Sequence, residues 1–196
     1  MDYYLLLKIF LSFLIGAIPF AVVAMWGTGI DITKVGSRNP GFNNVLRVAS
    51  QGRALIALLG DVSKGSLALL LLSRPGESAL MLWPLGLAAV VGHCWTPFLG
   101  FKGGKGVATT MGVLFFLEWK ITLVCALLYP LLRMVGRWRG WSQEGAIASL
   151  IMIAVITMLV VGLRGLESGL FACVALAIIL VRHTSNLREV LMGTKS

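Results

Sequence analysis

Long apolar segments alternate with short polar ones along almost the whole chain. The apolar segments are nearly continuous and show no period-two alternation, which favours membrane-spanning helices over the strands of a β-barrel. Seven segments are predicted to be helical, with ends good to a few residues: 4–26, 54–72, 80–100, 106–118, 121–136, 145–163 and 168–182. The segments 106–118 and 121–136 are short for straight crossings. They could form one bent unit, which leaves five or six spans as the alternative.

Composition supports the same class of protein. The 196 residues are 58% hydrophobic and 13% charged, and the mean hydropathy is +0.90. A soluble domain of this length could not bury so much apolar surface. We therefore predict an all-α polytopic integral membrane helix bundle of about seven transmembrane helices. No linker is evident, so a single membrane-embedded domain over 1–196 is expected. No internal repeat is evident either, and this counts against a transporter built from duplicated halves.

The formal net charge of +9 sits mainly in the short polar segments, which fits membrane topology and anion chemistry better than nucleic-acid binding. With seven spans, one set of loops holds only Arg74, Lys120 and Arg164. The other set holds twelve basic residues: Lys34, Arg38, Arg47, Arg53, Lys102, Lys105, Arg133, Arg137, Arg139, Arg182, Arg188 and Lys195. Because cytoplasmic loops are enriched in Lys and Arg, this bias predicts an outside N-terminus and a cytoplasmic C-terminus.

The segment Gly-Phe-Lys-Gly-Gly-Lys-Gly, residues 100–106, joins two apolar segments. Glycines allow tight turns that direct several N–H groups into one concavity, and the lysines add positive charge. It is not a Walker A loop, because Lys105 is followed by Gly106 rather than Ser or Thr. It is better interpreted as a glycine nest at the N-terminus of the helix 106–118, where an anion is favoured. A flexible basic loop would explain Lys102 and Lys105, but not Gly103, Gly104 and the other glycines.

The first polar loop, residues 37–47, is rich in hydrogen-bond donors. Asparagine side chains can donate to phosphate oxygens, and an arginine can bind one bidentately. The alternative is a solvated loop with ordinary basic residues, but three asparagines within six positions favour a site. The candidate phosphate ligands here are Ser37, Arg38, Asn39, Gly41, Asn43, Asn44 and Arg47.

Two charged residues interrupt the apolar helix 54–72. Asp61 and Lys64 are three residues apart, share a helix face and can pair. Charges at membrane depth are costly and usually functional, although a lysine near a helix end can reach the interface. We interpret the pair as structural support for the site. His93 lies in an apolar context and is expected to be a hydrogen-bonded structural residue.

The last polar segment begins Arg182-His183-Thr184-Ser185-Asn186 and continues to Arg188. If it is helical, His183 and Asn186 share one face, with Arg182 beside them. His183 is a candidate general base or phosphate ligand. The sequence shows no carboxylate–histidine pair of the kind that orients a protein base. Three dispersed cysteines and two histidines give no ligand spacing, so no metal site is expected.

Taken together, these motifs resemble the bacterial acyl-phosphate:glycerol-3-phosphate acyltransferases, the PlsY family. That family has Ser-Gly-Asn-x-Gly-Ala-Thr-Asn-x-x-Arg where residues 37–47 read Ser-Arg-Asn-Pro-Gly-Phe-Asn-Asn-Val-Leu-Arg. Its Asp-x-x-Lys-Gly step matches 61–65, and its Gly-His…Phe-Lys-Gly-Gly-Lys-Gly-Val-Ala-Thr block matches 92–109 nearly throughout. Its final His-Arg-x-Asn-Ile-x-Arg-Leu…Gly motif is similar to 183–193. The chain resembles a divergent member, because Arg38, Phe42-Asn43, Thr184 and Glu189 replace Gly, Ala-Thr, Arg and Leu.

The resemblance implies acyl transfer from acyl phosphate to the 1-hydroxyl of sn-glycerol 3-phosphate, in the bacterial inner membrane, at a site facing the cytoplasm. The resemblance implies no cofactor. It also implies, as a candidate partner, the soluble enzyme that makes acyl phosphate. A family serine is matched only loosely by Ser142, and another register would place Ala146 there. The expected catalytic residues are Lys105, Ser142, His183 and Asn186. Beyond the first loop, the expected phosphate ligands are Lys102, Gly103, Gly104, Gly106, Arg182 and Arg188, with Asp61, Lys64 and His93 as support.

Two questions stay open at this point. Either His183 or an oxygen of the acyl phosphate could take the proton of the attacking hydroxyl. A transporter of a phosphorylated or other anionic solute would also explain basic loops and an intramembrane ion pair. It would not explain why the phosphate-type loops gather on one face of the membrane.

Overall fold

The computed structural model describes residues 3–192, so Gly193 and Lys195 lie outside the described residues. All regular structure in this range is helical, which confirms the all-α class. Eleven α-helices are described, and a 3₁₀ turn at Pro97–Leu99 separates the fifth from the sixth. Their bounds are α1 Tyr3–Ala17, α2 Phe20–Ala24, α3 Phe42–Val48, α4 Gln51–Leu72, α5 Ala79–Cys94, α6 Val107–Leu117, α7 Trp119–Ala126, α8 Leu128–Trp138, α9 Glu144–Arg164, α10 Leu166–Arg182 and α11 Thr184–Met192.

Five stretches are long and apolar enough to cross a membrane: Tyr3–Ala24, Gln51–Leu72, Ala79–Leu99, Trp119–Trp138 and Glu144–Arg164. A sixth is possible if α10 and α11, which meet at a bend of 60°, count as one broken span. The helix α6 is apolar but has only 11 residues. These lengths fit a multi-pass membrane protein.

The continuous helix predicted over 4–26 is wrong, because the chain breaks between α1 and α2 at Pro19. Proline has no N–H and cannot continue the hydrogen-bond ladder. The carbonyls left at the end of α1 find donors elsewhere. Thr96 Oγ1 donates to the oxygen of Ala17 at 2.7 Å, and Lys64 Nζ donates to that of Ile18 at 2.7 Å. The break is therefore stabilised by two other segments of the chain.

The chain divides into two compact units, one up to Phe116 and one from Leu117 onwards. In the first unit, small residues let the helices approach closely. A Cβ on Gly16 or Gly92 would overlap backbone atoms of the facing helix, and so would one on Gly65 or Gly112. Ser12 contacts Leu85 and Ala17 contacts Thr96, so α1 and α5 run parallel. Arg53 contacts Ala24 while Lys64 contacts Ile18, and Gly86 faces Val113 while Gly104 faces His93, so α4 and α6 run the opposite way. The ends of α1 and α5 therefore lie with the beginnings of α4 and α6, which gathers the first polar loop and the glycine loop at one end.

The second unit packs α7, α8 and α10 against α9. Glu118, which is 7% exposed, accepts from Arg164 Nε at 2.8 and 2.9 Å, and this ties α7 to the end of α9. Arg133 of α8 contacts Glu144 at the start of α9 at 3.4 Å. The short polar helix α11, like α3 in the first unit, lies outside every predicted helix.

Candidate active site

A small cavity lies at the loop end of the first unit. It is lined by Pro40 of the first polar loop, by Gly103 and Gly104 of the glycine loop, and by Asp61, Lys64, His93 and Thr96 from the surrounding helices. Two motifs that are far apart in the sequence therefore meet at one place. The support residues lie between them.

A buried ionic cluster forms the floor of this cavity. Asp61 Oδ1 lies 2.8 Å from Lys64 Nζ and 3.4 Å from His93 Nδ1. The Asp61 and Lys64 side chains are 3% and 2% exposed. The sequence-based statement that no carboxylate–histidine pair exists is therefore wrong, because Asp61 pairs with His93 from the neighbouring helix α5. A buried charge is tolerated when it is paired and hydrogen-bonded, and Asp61 meets both conditions.

The glycine loop packs closely against the end of α5. The Gly103 amide donates to the Cys94 oxygen at 3.2 Å, and the Gly104 amide donates to the His93 oxygen at 3.1 Å. A Cβ on Gly103 would overlap backbone atoms, and one on Gly104 would overlap Nε2 of the His93 ring. These two glycines are therefore required for close approach. Their N–H groups are already used, so Gly103 and Gly104 shape the loop rather than donate to a phosphate.

The donors that this loop offers lie at the start of α6. Within residues 3–192 the amides of Val107, Ala108 and Thr109 make no backbone hydrogen bond, and the first bond of the helix joins the Thr110 amide to the Gly106 oxygen at 2.8 Å. Gly106 has φ of +87°, a conformation that favours glycine. The first turn of a helix binds anions through these unpaired amides and the helix dipole. Lys105 is half-buried immediately before this turn.

In the first polar loop, Asn44 is used internally. It is 1% exposed. Its Nδ2 donates to the oxygens of Ile32 and Val35 at 3.1 and 3.0 Å, and its Oδ1 accepts from the Ser37 amide at 2.8 Å. With these bonds made, Asn44 holds the loop together, and we remove it from the phosphate ligands. The other candidates of the loop are exposed or half-buried: Ser37, Arg38, Asn39, Gly41, Asn43 and Arg47.

The second unit carries the C-terminal candidates. His183 caps the end of α10, is 2% exposed, and has Nδ1 2.8 Å from the oxygen of Ile179. Since a carbonyl only accepts, Nδ1 carries the proton of the neutral ring and Nε2 keeps the lone pair. Asn186, on α11, donates from Nδ2 to Oε1 of Gln143 at 2.7 Å. Gln143 in turn donates to Glu189.

Gln143, the neighbour of Ser142, was not singled out from the sequence. Ser142 is exposed in the turn before α9, whereas the Gln143 side chain reaches α11. Ala146, the alternative position for the family serine, is half-buried in the first turn of α9. Of the other basic candidates, Lys102 and Arg188 are exposed and Arg182 is half-buried. Among residues 3–192 no three side chains of the metal-ligating types cluster together.

Each unit carries features that indicate the class of protein. The first unit combines a helix N-terminus, a lysine and a glycine loop around a buried ionic cluster, and the second unit carries a histidine and an asparagine at a helix bend. With five or six candidate membrane spans among the described residues, the chain has the features of a multi-pass membrane protein.

Comparison with known proteins identifies the family. The family model described as glycerol-3-phosphate acyltransferase matches residues 6–193. The glycerol-3-phosphate acyltransferase of Neisseria gonorrhoeae (strain NCCP11945) is 39% identical over 191 residues, covering 94% of this chain and 92% of the relative. That of Laribacter hongkongensis is 37% identical over 194 residues, covering 95% and 92%. The chain belongs to the glycerol-3-phosphate acyltransferase family, and the sequence-based resemblance is confirmed.

Solved structures give the same answer at the level of the fold. Two crystal structures of PlsY (YgiH), an integral membrane glycerol 3-phosphate acyltransferase, match this chain at 29% identity, and each match covers 98% of this chain and 94% of PlsY. The TM-score is 0.85 for the glycerol 3-phosphate form and 0.84 for the lysophosphatidic acid form. The protein is thus an integral membrane acyltransferase of phospholipid synthesis.

Proposed function

We propose that this acyltransferase moves a fatty acyl group from acyl phosphate to the 1-hydroxyl of sn-glycerol 3-phosphate. The products are 1-acyl-glycerol 3-phosphate and inorganic phosphate. The observation that carries the proposal is the meeting of the first polar loop with the glycine loop, which leads directly into α6, at one end of the first unit. An acyl phosphate is already activated, so this arrangement needs no cofactor and no covalent nucleophile.

We assign the leaving phosphate to Lys105 and the first-turn amides of α6. Negative charge grows on the phosphate and on the carbonyl oxygen as the acyl bond breaks, and donors fixed in advance stabilise it. For glycerol 3-phosphate we propose the exposed or half-buried donors of the first loop together with other basic residues and Ser142. These proposed ligands are Ser37, Arg38, Asn39, Gly41, Asn43, Arg47, Lys102, Ser142, Arg182 and Arg188.

The proton of the attacking hydroxyl needs an acceptor. His183 is anchored through Nδ1 to a backbone carbonyl rather than to a carboxylate. A carbonyl fixes the tautomer but stabilises an imidazolium less than an anionic carboxylate does. We therefore propose that an oxygen of the acyl phosphate takes the proton, while His183 Nε2 and Asn186 bind and orient the acceptor.

Purified protein in lipid vesicles, supplied with acyl phosphate and glycerol 3-phosphate, should release inorganic phosphate and lysophosphatidic acid in equal amounts. Replacing acyl phosphate by acyl-coenzyme A should abolish turnover, because coenzyme A offers no phosphate at the scissile bond for the start of α6 to bind. Efficient turnover with acyl-coenzyme A would contradict the donor. Uptake of glycerol 3-phosphate into vesicles without product would instead support the transporter alternative.

We further propose about seven transmembrane helices in one domain over 1–196, an outside N-terminus, and a cytoplasmic C-terminus and active site in the bacterial inner membrane. The twelve-to-three division of basic loop residues supports this topology.

A tag after Ser196 should be labelled only from the cytoplasm, and a tag before Met1 only from outside. Labelling of both tags from one side would rule out an odd number of spans. A cytoplasmic site would also admit contact with the soluble enzyme that makes acyl phosphate.

A further inference from the structure

The ring of His93 lies between the buried ionic cluster and the glycine loop. On one side, its Nδ1 is 3.4 Å from Oδ1 of Asp61 on α4, and the His93 side chain is only 7% exposed. On the other side, the ring packs against the backbone of Gly104, so closely that a Cβ on Gly104 would overlap Nε2 and lie 2.8 Å from Cε1. One side chain of α5 therefore contacts both the buried carboxylate and the residue that precedes Lys105.

The ring is held from the side of α4, independently of the loop. Oδ1 of Asp61 is also 2.8 Å from Nζ of Lys64. Lys64 in turn donates to the oxygen of Ile18 at 2.7 Å, at the break between α1 and α2. A buried charge that moves away from its partners loses their compensation, so a cluster of this kind resists displacement. The carboxylate that the ring contacts is thus a fixed point of the first unit.

The position of the loop has two components. The amides of Gly103 and Gly104 bond to carbonyls at the end of α5, which fixes the loop along that helix. The His93 ring limits how closely Gly104 can approach α5. Lys105 is the next residue, and Gly106 then leads into the first turn of α6. A shift of Gly104 would therefore be passed directly to Lys105.

We infer that His93, held by Asp61, is a positioning residue that sets the place of Lys105 by packing its ring against Gly104. This inference rests on the proposed function, in which Lys105 and the first turn of α6 bind the leaving phosphate. Fixed donors stabilise a transition state only when they are accurately placed, and a displacement of about 1 Å can cost about 100-fold in rate. His93 acts through Gly104 and needs no contact with either substrate.

The first test creates the overlap and then relieves it. Gly104→Ala should lower kcat/KM for acyl phosphate in lipid vesicles by about 100-fold, because the new methyl group meets the ring and displaces the loop. His93→Asn keeps a donor near the place of Nδ1, facing Asp61, and removes the two ring atoms nearest to that methyl group. The double variant should therefore be about tenfold more active than Gly104→Ala, a common coupling between residues in contact.

Gly103→Ala is the matched control. A Cβ on Gly103 would meet main-chain atoms, including the Cys94 oxygen at 2.8 Å and its carbonyl carbon at 2.9 Å. A shorter side chain at position 93 cannot relieve that overlap. The loss in Gly103→Ala should therefore persist when His93→Asn is added. Equal recovery of Gly103→Ala and Gly104→Ala would overturn the inference, because it would show that His93→Asn loosens the loop in general.

The second test does not depend on Gly104→Ala being folded. His93→Asn alone should lower kcat by about tenfold, less than the roughly 100-fold of a 1 Å displacement, with little change in the KM for glycerol 3-phosphate. In a Lys105→Ala background it should lower kcat much less, because the group that it positions is gone. Melting temperatures of all variants show whether a loss of rate is a loss of folded protein.

The outcomes separate this inference from the proposed function. Wild-type turnover by Lys105→Ala would remove the glycine loop from the reaction and the proposed phosphate site with it. Loss of turnover in Lys105→Ala, with wild-type kcat in His93→Asn, would overturn the positioning role alone. An equal fall in kcat on adding His93→Asn to the wild type and to Lys105→Ala would also overturn it, since His93 would then act through another group.

Discussion

Lys105→Ala is expected to lower kcat/KM by about 100- to 1,000-fold, the usual cost of removing one fixed electrostatic donor from a transition state. Lys105 stands directly before the first turn of α6, whose unpaired amides cannot by themselves replace a full positive charge. It belongs to a loop that is shaped mainly by the backbone bonds of Gly103 and Gly104. The variant should therefore fold normally, and steady-state rates with acyl phosphate in lipid vesicles give the measurement.

Two companion variants show whether the effect is local. Lys105→Arg keeps the charge and should retain more activity than Lys105→Ala, although a guanidinium cannot match the geometry of an ammonium. Lys34→Ala also removes one positive charge, but Lys34 is 80% exposed just before the first polar loop and pairs with Asp31 at 3.0 Å. An exposed pair of this kind contributes little, so Lys34→Ala should keep nearly full activity. Equal losses in Lys34→Ala and Lys105→Ala would refute a specific role for Lys105.

Sequence patterns predicted the class of fold because apolar segments of spanning length carry an unambiguous signal. They did not predict α3 and α11, because both are short and interrupted by polar residues. The structure holds α3 by packing Val45 into a hydrophobic cluster, whereas α11 has no buried residue. The break at Pro19 was visible as a proline within an apolar segment. What the sequence could not show was that Thr96 and Lys64, from distant segments, supply the donors that make a break there inexpensive.

Some residues of the candidate site could be recognised from the sequence and others could not. The glycine loop, Lys105 and the C-terminal motif were recognisable because their residue types are unusual for loops beside apolar segments. The internal hydrogen bonds of Asn44 could not be recognised from the sequence, since an asparagine that bonds to its own loop looks there like one that binds a ligand. The Asp61–His93 pair and the reach of Gln143 to α11 depend on which helices are neighbours. No local pattern encodes that information.

Asp61→Asn is expected to destabilise the folded protein by about 3–5 kcal/mol, the range measured when one partner of a buried ion pair is removed. The substitution keeps the shape of the side chain but leaves the Lys64 ammonium, 2% exposed, without its anion. The carbonyl of Ile18 still accepts from Lys64, yet a neutral oxygen cannot balance a buried charge. Thermal unfolding in detergent or lipid should show a clearly lower melting temperature.

Removing both charges should cost much less. In the double variant Asp61→Asn with Lys64→Met no charge of the pair remains buried, and replacing a whole pair is often nearly neutral. The remaining loss should be about 1–3 kcal/mol, because the Ile18 carbonyl at the break between α1 and α2 loses its donor. Asp31→Asn provides the comparison, since Asp31 and Lys34 also pair at 3.0 Å but are 47% and 80% exposed, and water there should limit the loss. If the double variant were as unstable as Asp61→Asn, the cost would come from lost packing at α4 rather than from an unpaired charge.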